Sequence, residues 1–340
     1  MKTIRILDTD LEFVRLVSAH PRPGAPAIVF LHEGLGSISM WRDFPQKVAD
    51  ATGCEAVVYS RYGYGRSTPR RGEPNTPRYM HVQALEVLPA LLDALELERP
   101  FLLGHSDGGS IALINAGGSL RPLSGIIVMA PHVLVEDVTL KGIRDALELA
   151  ARSDLLQRLG RHHADAGAVF KAWHQIWLSL AFRSWNIEEY LPSIPCPVMA
   201  LQGEDDEYGS FDQIDRIARQ AKDVDRVKLA DCRHSPHKDQ TAAVIDAVTG
   251  FVTRILRLAT SPTARPPRPP RRPLEATRGS AWITPAGGDA EPRGAQKMRH
   301  QSPSDSVTSA MSSAALMASR ASTRRSRIAK KASTTRGSNC

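Results

Sequence analysis

The chain alternates short, continuously apolar runs with longer segments in which apolar residues recur at helical spacing. Residues 27–31, 56–59, 101–103, 125–129 and 197–201 are apolar without alternation, the pattern of strands buried on both faces. Residues 11–17 alternate partly, as an outer antiparallel strand would, and 227–230 read as a further short strand. Over 78–97, Leu85, Leu88, Leu92 and Leu95 share one side of a helix that Pro89 is expected to kink or interrupt. Strands interleaved with helices predict an α/β fold, with a mostly parallel sheet covered by helices on both faces. The sequence contains no internal repeat.

Between the strands ending near Met129 and starting near Pro197 lies a helical insertion. Ile143, Ala146, Leu147 and Ala150 fall at i, i+3, i+4 and i+7, as do Phe170, Trp173, His174 and Trp177. Most of this aromatic stripe reads as packing of the insertion onto the body.

The chemistry concentrates where the run at 101–103 ends. Gly104-His105-Ser106-Asp107-Gly108 is a G-x-S-x-G sequence between a strand and a helix-like stretch. Such a turn projects the serine hydroxyl outward, and the following helix N-terminus supplies amides beneath an oxyanion. Ser106 is therefore the candidate nucleophile, with the Asp107 amide as an oxyanion donor. A bland reading, a glycine-rich helix cap, is set aside by two later segments of the chain. The strand 197–201 leads into Glu204-Asp205-Asp206-Glu207, and the strand 227–230 into a loop with His234 and His237. A serine nucleophile needs a base and the base an orienting acid, here in the order Ser, Asp, His. Asp206 is the first choice of acid, with Asp205 open, and His234 of base, with His237 second.

These motifs resemble those of α/β-hydrolase-fold serine hydrolases over roughly residues 1–257. Phe30-Leu31-His32-Glu33-Gly34-Leu35-Gly36-Ser37 is similar to the family's strand-end His-Gly loop. The resemblance implies that Gly34 donates the other oxyanion amide and that His32 holds the loop. Tyr62-Gly63-Tyr64-Gly65-Arg66-Ser67 is similar to the family's next G-x-G-x-S turn. Glu33 departs from the pattern, which usually has glycine there, and a carboxylate beside an oxyanion opposes it unless it points away or pairs with a cation. The resemblance also implies a division into core (1–133), helical cap (134–192) and core (193–257). A cap's inner face lines the pocket, so Trp173, Trp177, Phe182 and Trp185 are candidate walls beside Glu33 and Leu35. His105 is expected beneath the turn. His20, His81, His162, His163, His174 and His300 are expected to be exposed or hydrogen-bonded rather than catalytic.

Composition adds one correction. The 340 residues are 42% apolar, enough for a substantial core, and carry a net +8. The charge is split, with 29 basic against 32 acidic residues up to Arg257 (net −3) and 15 against 4 from Leu258 onward (net +11). The basic character belongs to the Pro-, Ser- and Arg-rich segment 258–340. That segment is expected to be disordered, and no partner is assigned to it. No nucleic-acid binding is expected of the body, and the tail's lone aromatic, Trp282, makes no base-stacking surface.

The cysteines Cys54, Cys196, Cys232 and Cys340 form no C-x-x-C pair, so no zinc site or disulfide framework is expected. The acidic run 204–207 has no histidine beside it to suggest a metal. No cofactor is expected. The first residues lack an apolar leader core and no stretch reaches membrane-span length, which together suggest a cytoplasmic protein with reduced thiols.

The resulting expectation is hydrolysis of a small, mostly apolar carboxylic ester, thioester or lactone through an acyl-enzyme on Ser106. Serine rather than aspartate at the turn disfavours dehalogenase and epoxide-hydrolase chemistry. Asp107 after the nucleophile, where proline iminopeptidases often carry Trp, and Ser235 after His234 weigh against iminopeptidase and C–C hydrolase chemistry. Two alternatives stay open: C–C hydrolysis of a dienoate-type intermediate of aromatic degradation, and a non-catalytic ligand-binding relative.

Overall fold

The computed structural model describes residues 1–260. The basic region expected to be disordered lies, from residue 261 onward, outside the described residues.

Eight strands form one sheet in the order β1-β2-β4-β3-β5-β6-β7-β8. They are β1 (Lys2–Ile6), β2 (Thr9–Leu16), β3 (Ile28–Leu31), β4 (Ala56–Tyr59), β5 (Phe101–His105), β6 (Gly125–Met129), β7 (Val198–Gly203) and β8 (Val224–Leu229). The β1–β2 and β2–β4 pairs are antiparallel and every other pair is parallel. Strand β1 had no counterpart in the sequence pattern, because Ile6 is its one buried residue and pairing to β2 defines it.

Alternation along the strands divides two cores. Ile28, Phe30, Val58, Leu103, Met129 and Leu201 face α1 (Phe44–Thr52) and the closing helix. Val29, Leu31, Val57, Leu102, Val128 and Ala200 face the opposite helical layer. The helix expected over 78–97 is broken into α2 (Tyr79–Val82), a π-helical turn (Gln83–Val87) and α3 (Leu88–Ala94). The widened turn lies on the N-terminal side of Pro89, whose missing N–H and ring exclude a regular bond to the carbonyl four residues back. After β5 comes α4 (Asp107–Gly118), buried over nearly its whole length.

The insertion between β6 and β7 contains α5 (Asp137–Arg152), α6 (Leu155–Leu159) and α7 (Ala166–Trp177). Leu147, expected on the inner stripe of α5, is exposed, whereas Ile143 is buried. The fully buried residues of α5, Thr139, Leu140, Gly142 and Ile143, lie in its first half, and in the second half Ala146 and Ala150 are partly buried against the same core. The chain then continues through α8 (Asp212–Gln220), α9 (Pro236–Asp239) and α10 (Thr241–Thr260). Among the described residues no helix is long and apolar enough to cross a membrane. The loops after β3, β5, β6, β7 and β8 all leave the carboxyl edge of the sheet, where α/β proteins gather their functional residues.

Candidate active site

Ser106 sits between β5 and α4 with φ 53° and ψ −118°, a left-handed conformation that costs a non-glycine residue about 1–3 kcal/mol. Neighbouring hydrogen bonds hold it there. Its N–H donates to the Met129 carbonyl over 2.9 Å, and its own carbonyl accepts from Ser110 N over 3.0 Å. A Cβ on Gly104 would lie 2.2 Å from the Gly108 carbonyl oxygen, and one on Gly108 would lie 1.9 Å from that of Leu31. The two glycines are therefore required by backbone crossings.

His234 Nε2 lies 2.9 Å from Ser106 Oγ, and its Nδ1 lies 2.8 and 2.9 Å from the two oxygens of Asp206. Asp206, left beside Asp205 in the sequence, is the carboxylate that reaches the histidine. It also accepts from the Gln202 side-chain amide (2.5 Å) and from the amides of Tyr208 (2.8 Å) and Gly209 (3.1 Å). Burial opposes the Asp206 charge, but His234 and these donors hold its carboxyl below the usual carboxylate range. Burial likewise opposes the His234 imidazolium. The facing Asp206 charge and hydrogen bond outweigh it, with Glu207 and Glu33 adding to them, and raise its pKa.

The second histidine considered as base, His237, is buried in a ring cluster, 4.9 Å from Trp41 and 5.4 Å from Phe44 between centroids. It does not line the cavity at Ser106. His105 is buried behind the turn, and its Nε2 donates to the His234 carbonyl over 2.6 Å.

Gly34 and Asp107 flank Ser106, and among the described residues neither backbone N–H has a protein acceptor. A Cβ on Gly34 would lie 2.5 Å from the Trp173 ring, so glycine permits close approach of α7. The Asp107 carboxylate accepts from Tyr79 Oη over 2.9 Å and lies 3.7 Å from the buried Arg61 guanidinium. The Glu33 side chain folds over Gly36 to within 3.6 Å of His105 Nδ1. Burial opposes its charge, yet the contact with His105 holds its carboxyl well below the usual range. Glu33 is thus turned back into the body, though it still borders the cavity.

That cavity, about 360 Å³, reaches Ser106, Asp107 and His234 and is walled by Leu35, Met40, Ile143, Trp173, Trp177 and Tyr208 among others. Phe182 and Trp185, expected as walls, are not among them. They stack on each other (5.1 Å) and pack behind Trp177, at 4.9 and 5.9 Å, because their place after α7 turns them to the rear of the aromatic layer. His132 and Tyr208 also line the cavity, and no motif surrounds them in the sequence to mark them as site residues. His132 donates from Nε2 to the Tyr208 carbonyl over 3.0 Å. Burial and the nearby His234 lower its pKa, favouring the neutral ring. Among the described residues no cluster of His, Cys, Asp and Glu is arranged to hold a metal.

Residues 28–247 match the family model described as the alpha/beta hydrolase family. The chain is 24% identical over 269 residues to the 2-succinyl-6-hydroxy-2,4-cyclohexadiene-1-carboxylate synthase of Salmonella paratyphi A, covering 70% of this chain and 96% of that protein. Among solved structures it is similar to proline iminopeptidase from Mycobacterium smegmatis, with a TM-score of 0.60 at 18% identity, covering 76% of this chain and 99% of that one. The enol-lactonase from Burkholderia xenovorans LB400 gives a TM-score of 0.59 at 18% identity, covering 74% and 100%. At these identities the structural likenesses establish the fold.

Proposed function

The chain belongs to the alpha/beta hydrolase family, and from that premise we propose that it is a serine hydrolase acting on a small, mostly apolar carboxylic ester, thioester or lactone. One observation carries the reading: His234 bridges Ser106 Oγ and the Asp206 carboxylate at the wall of a largely apolar cavity. In the proposed reaction Ser106 Oγ attacks the acyl carbon while His234 Nε2 accepts its proton. The N–H groups of Gly34 and Asp107 receive the oxyanion, an interaction worth about 2.7–4 kcal/mol per donor in comparable sites. His234 then returns the proton to the leaving oxygen or sulfur, and water releases the acid by the same route. We take α5, α6 and α7 as the cap, with Trp173 and Trp177 facing the acyl group.

The synthase relatives suggest a second chemistry, but the cavity weighs against it. The name of their product includes a carboxylate, and among the described residues the lining offers Lys238 as its lone Lys or Arg beside Glu33, Asp107 and Glu207. An uncharged acyl group suits that balance better.

The test is mass mapping after reaction with a serine-directed fluorophosphonate. A single adduct on Ser106, lost in His234→Ala, is expected. A folded protein that takes no adduct would overturn the reading in favour of a ligand-binding relative.

A further inference from the structure

The carbonyl oxygen of Glu33 accepts three donors. His32 Nδ1 lies at 2.8 Å, Arg61 Nη2 at 2.8 Å and the Gly36 amide at 3.1 Å. The histidine roles are fixed by their partners: His32 Nε2 accepts from the Arg61 amide over 3.1 Å, which leaves Nδ1 as the donor. Burial, with the Arg61 charge, holds the His32 pKa well below its ordinary value, consistent with a neutral ring.

In a planar trans peptide the C=O of one residue and the N–H of the next point in opposite directions. Drawing the Glu33 oxygen inward therefore turns the Gly34 N–H outward, to the side bordering the cavity. Arg61 is 2% exposed, and its charge faces the Asp107 carboxylate at 3.7 Å. Asp107 is in turn held by Tyr79 Oη. One buried guanidinium thus bears on the peptide that presents the first oxyanion amide and on the side chain of the residue that presents the second. Beyond these contacts the Arg61 guanidinium lies over the Tyr64 ring, 4.8 Å from its centroid, which holds the group in place from a third side.

We propose that Arg61 is a positioning residue for the oxyanion hole, orienting the Glu33–Gly34 peptide through its bond to the Glu33 carbonyl. This rests on the serine-hydrolase reading for its catalytic consequence and on hydrogen-bond geometry alone for its structural one.

The test uses the full chain with Arg61→Met, and with Arg61→Lys, which keeps the charge beside Asp107 if the first variant does not fold. The first readout needs no activity: the amide resonance of Gly34 in protein labelled with 15N-glycine. A shifted, broadened or doubled Gly34 resonance in the variant is expected, with glycines remote from the site unchanged. An unchanged resonance in a folded variant overturns the proposal. The second readout is kinetic, on an ester turned over by the parent protein. Arg61→Met should lower kcat at least about tenfold with KM within about twofold, because an oxyanion contact is made in the transition state. Affinity for a phenylboronic acid, which forms a tetrahedral adduct on Ser106, should fall by a similar factor. A rise in KM alone, or unaltered boronate affinity, overturns the catalytic part. A parent protein without any hydrolysis or boronate binding would refute the hydrolase reading, and the Gly34 resonance would still decide the structural role of Arg61.

Discussion

His105 Nε2 donates to the carbonyl of His234 over 2.6 Å, so the residue just before the nucleophile ties down the loop that carries the candidate base. On its other side His105 faces the Glu33 carboxylate at 3.6 Å. The two loops that bring the candidate oxyanion donor and the candidate base to Ser106 are therefore linked through one imidazole.

His105→Phe should keep the ring packing against Trp41 and His237 while removing both polar contacts. The His234 loop loses its tie, and a displacement of about 1 Å at a reacting group lowers turnover by up to ~10²-fold. Ester kinetics should show a 10- to 100-fold lower kcat, with the melting curve shifted down because the buried Glu33 carboxylate and the His234 carbonyl lose their partner. Undiminished turnover would mean that the loop is held without this bond.

The proposed role of Asp206 as triad acid carries its own prediction. Asp206→Asn should lower kcat by roughly 10⁴, the loss found when comparable triads lose this carboxylate. Asp205 makes no side-chain bond to His234, and Asp205→Asn should stay within about twofold. The pH profile supplies the sign. His234 must be neutral to accept the Ser106 proton, and Asp206 raises its pKa above the ordinary 6.5. The rise of kcat/KM with pH should have its midpoint above 6.5 in the parent and move to lower pH in the residual activity of Asp206→Asn. A midpoint indifferent to the substitution would assign the titration to another group.

How far the sequence discloses the site depends on how local each determinant is. Gly104, Ser106 and Gly108 lie within one turn, so steric need and chemistry can be read together from five residues. The order of Ser106, Asp206 and His234 is legible because each follows an apolar strand. The preference for Asp206 over Asp205 is not, since Gln202 and the Tyr208 and Gly209 amides converge on the Asp206 carboxylate only in the folded chain. Arg61 and His132 are hidden for the same reason. Their partners, Glu33 and Tyr208, lie 28 and 76 residues away and meet them only in the folded chain. Helical periodicity misjudges Leu147, because it indicates a face but not where the contact ends, and the expectation that a cap's inner face lines the pocket holds for Trp173 and Trp177 but not for Trp185, which follows α7 and lies behind that layer.

Gly108→Ala tests the steric requirement directly. Its Cβ would lie 1.9 Å from the Leu31 carbonyl oxygen and 2.8 Å from that of His32, both backbone atoms with little freedom. Overpacking against side chains costs about 1–3 kcal/mol, and a backbone obstacle should exceed the upper end of that range. Urea denaturation of the variant should show at least about that loss, together with loss of Ser106 labelling. A variant as stable as the parent would show that α4 can slide away from β3.

Acid stability depends on His237. Burial is the main reason its pKa is depressed to about 2, with the charge of His105 acting in the same direction. The unfolded chain takes up a proton near pH 6.5 that the folded chain refuses, so folding stability is fully present above that pH. Below it, this one group removes up to about 1.4 kcal/mol per pH unit, until the folded imidazole is itself protonated. Buried His32, His132 and His163, also depressed, act in the same sense. His237→Phe places an apolar ring between Trp41 and Phe44 and deletes one of these contributions. Denaturation midpoints at pH 7.5 and pH 5 should lie closer together in the variant than in the parent. Equal differences in both proteins would mean that His237 accepts its proton in the folded state, contrary to its placement among buried rings.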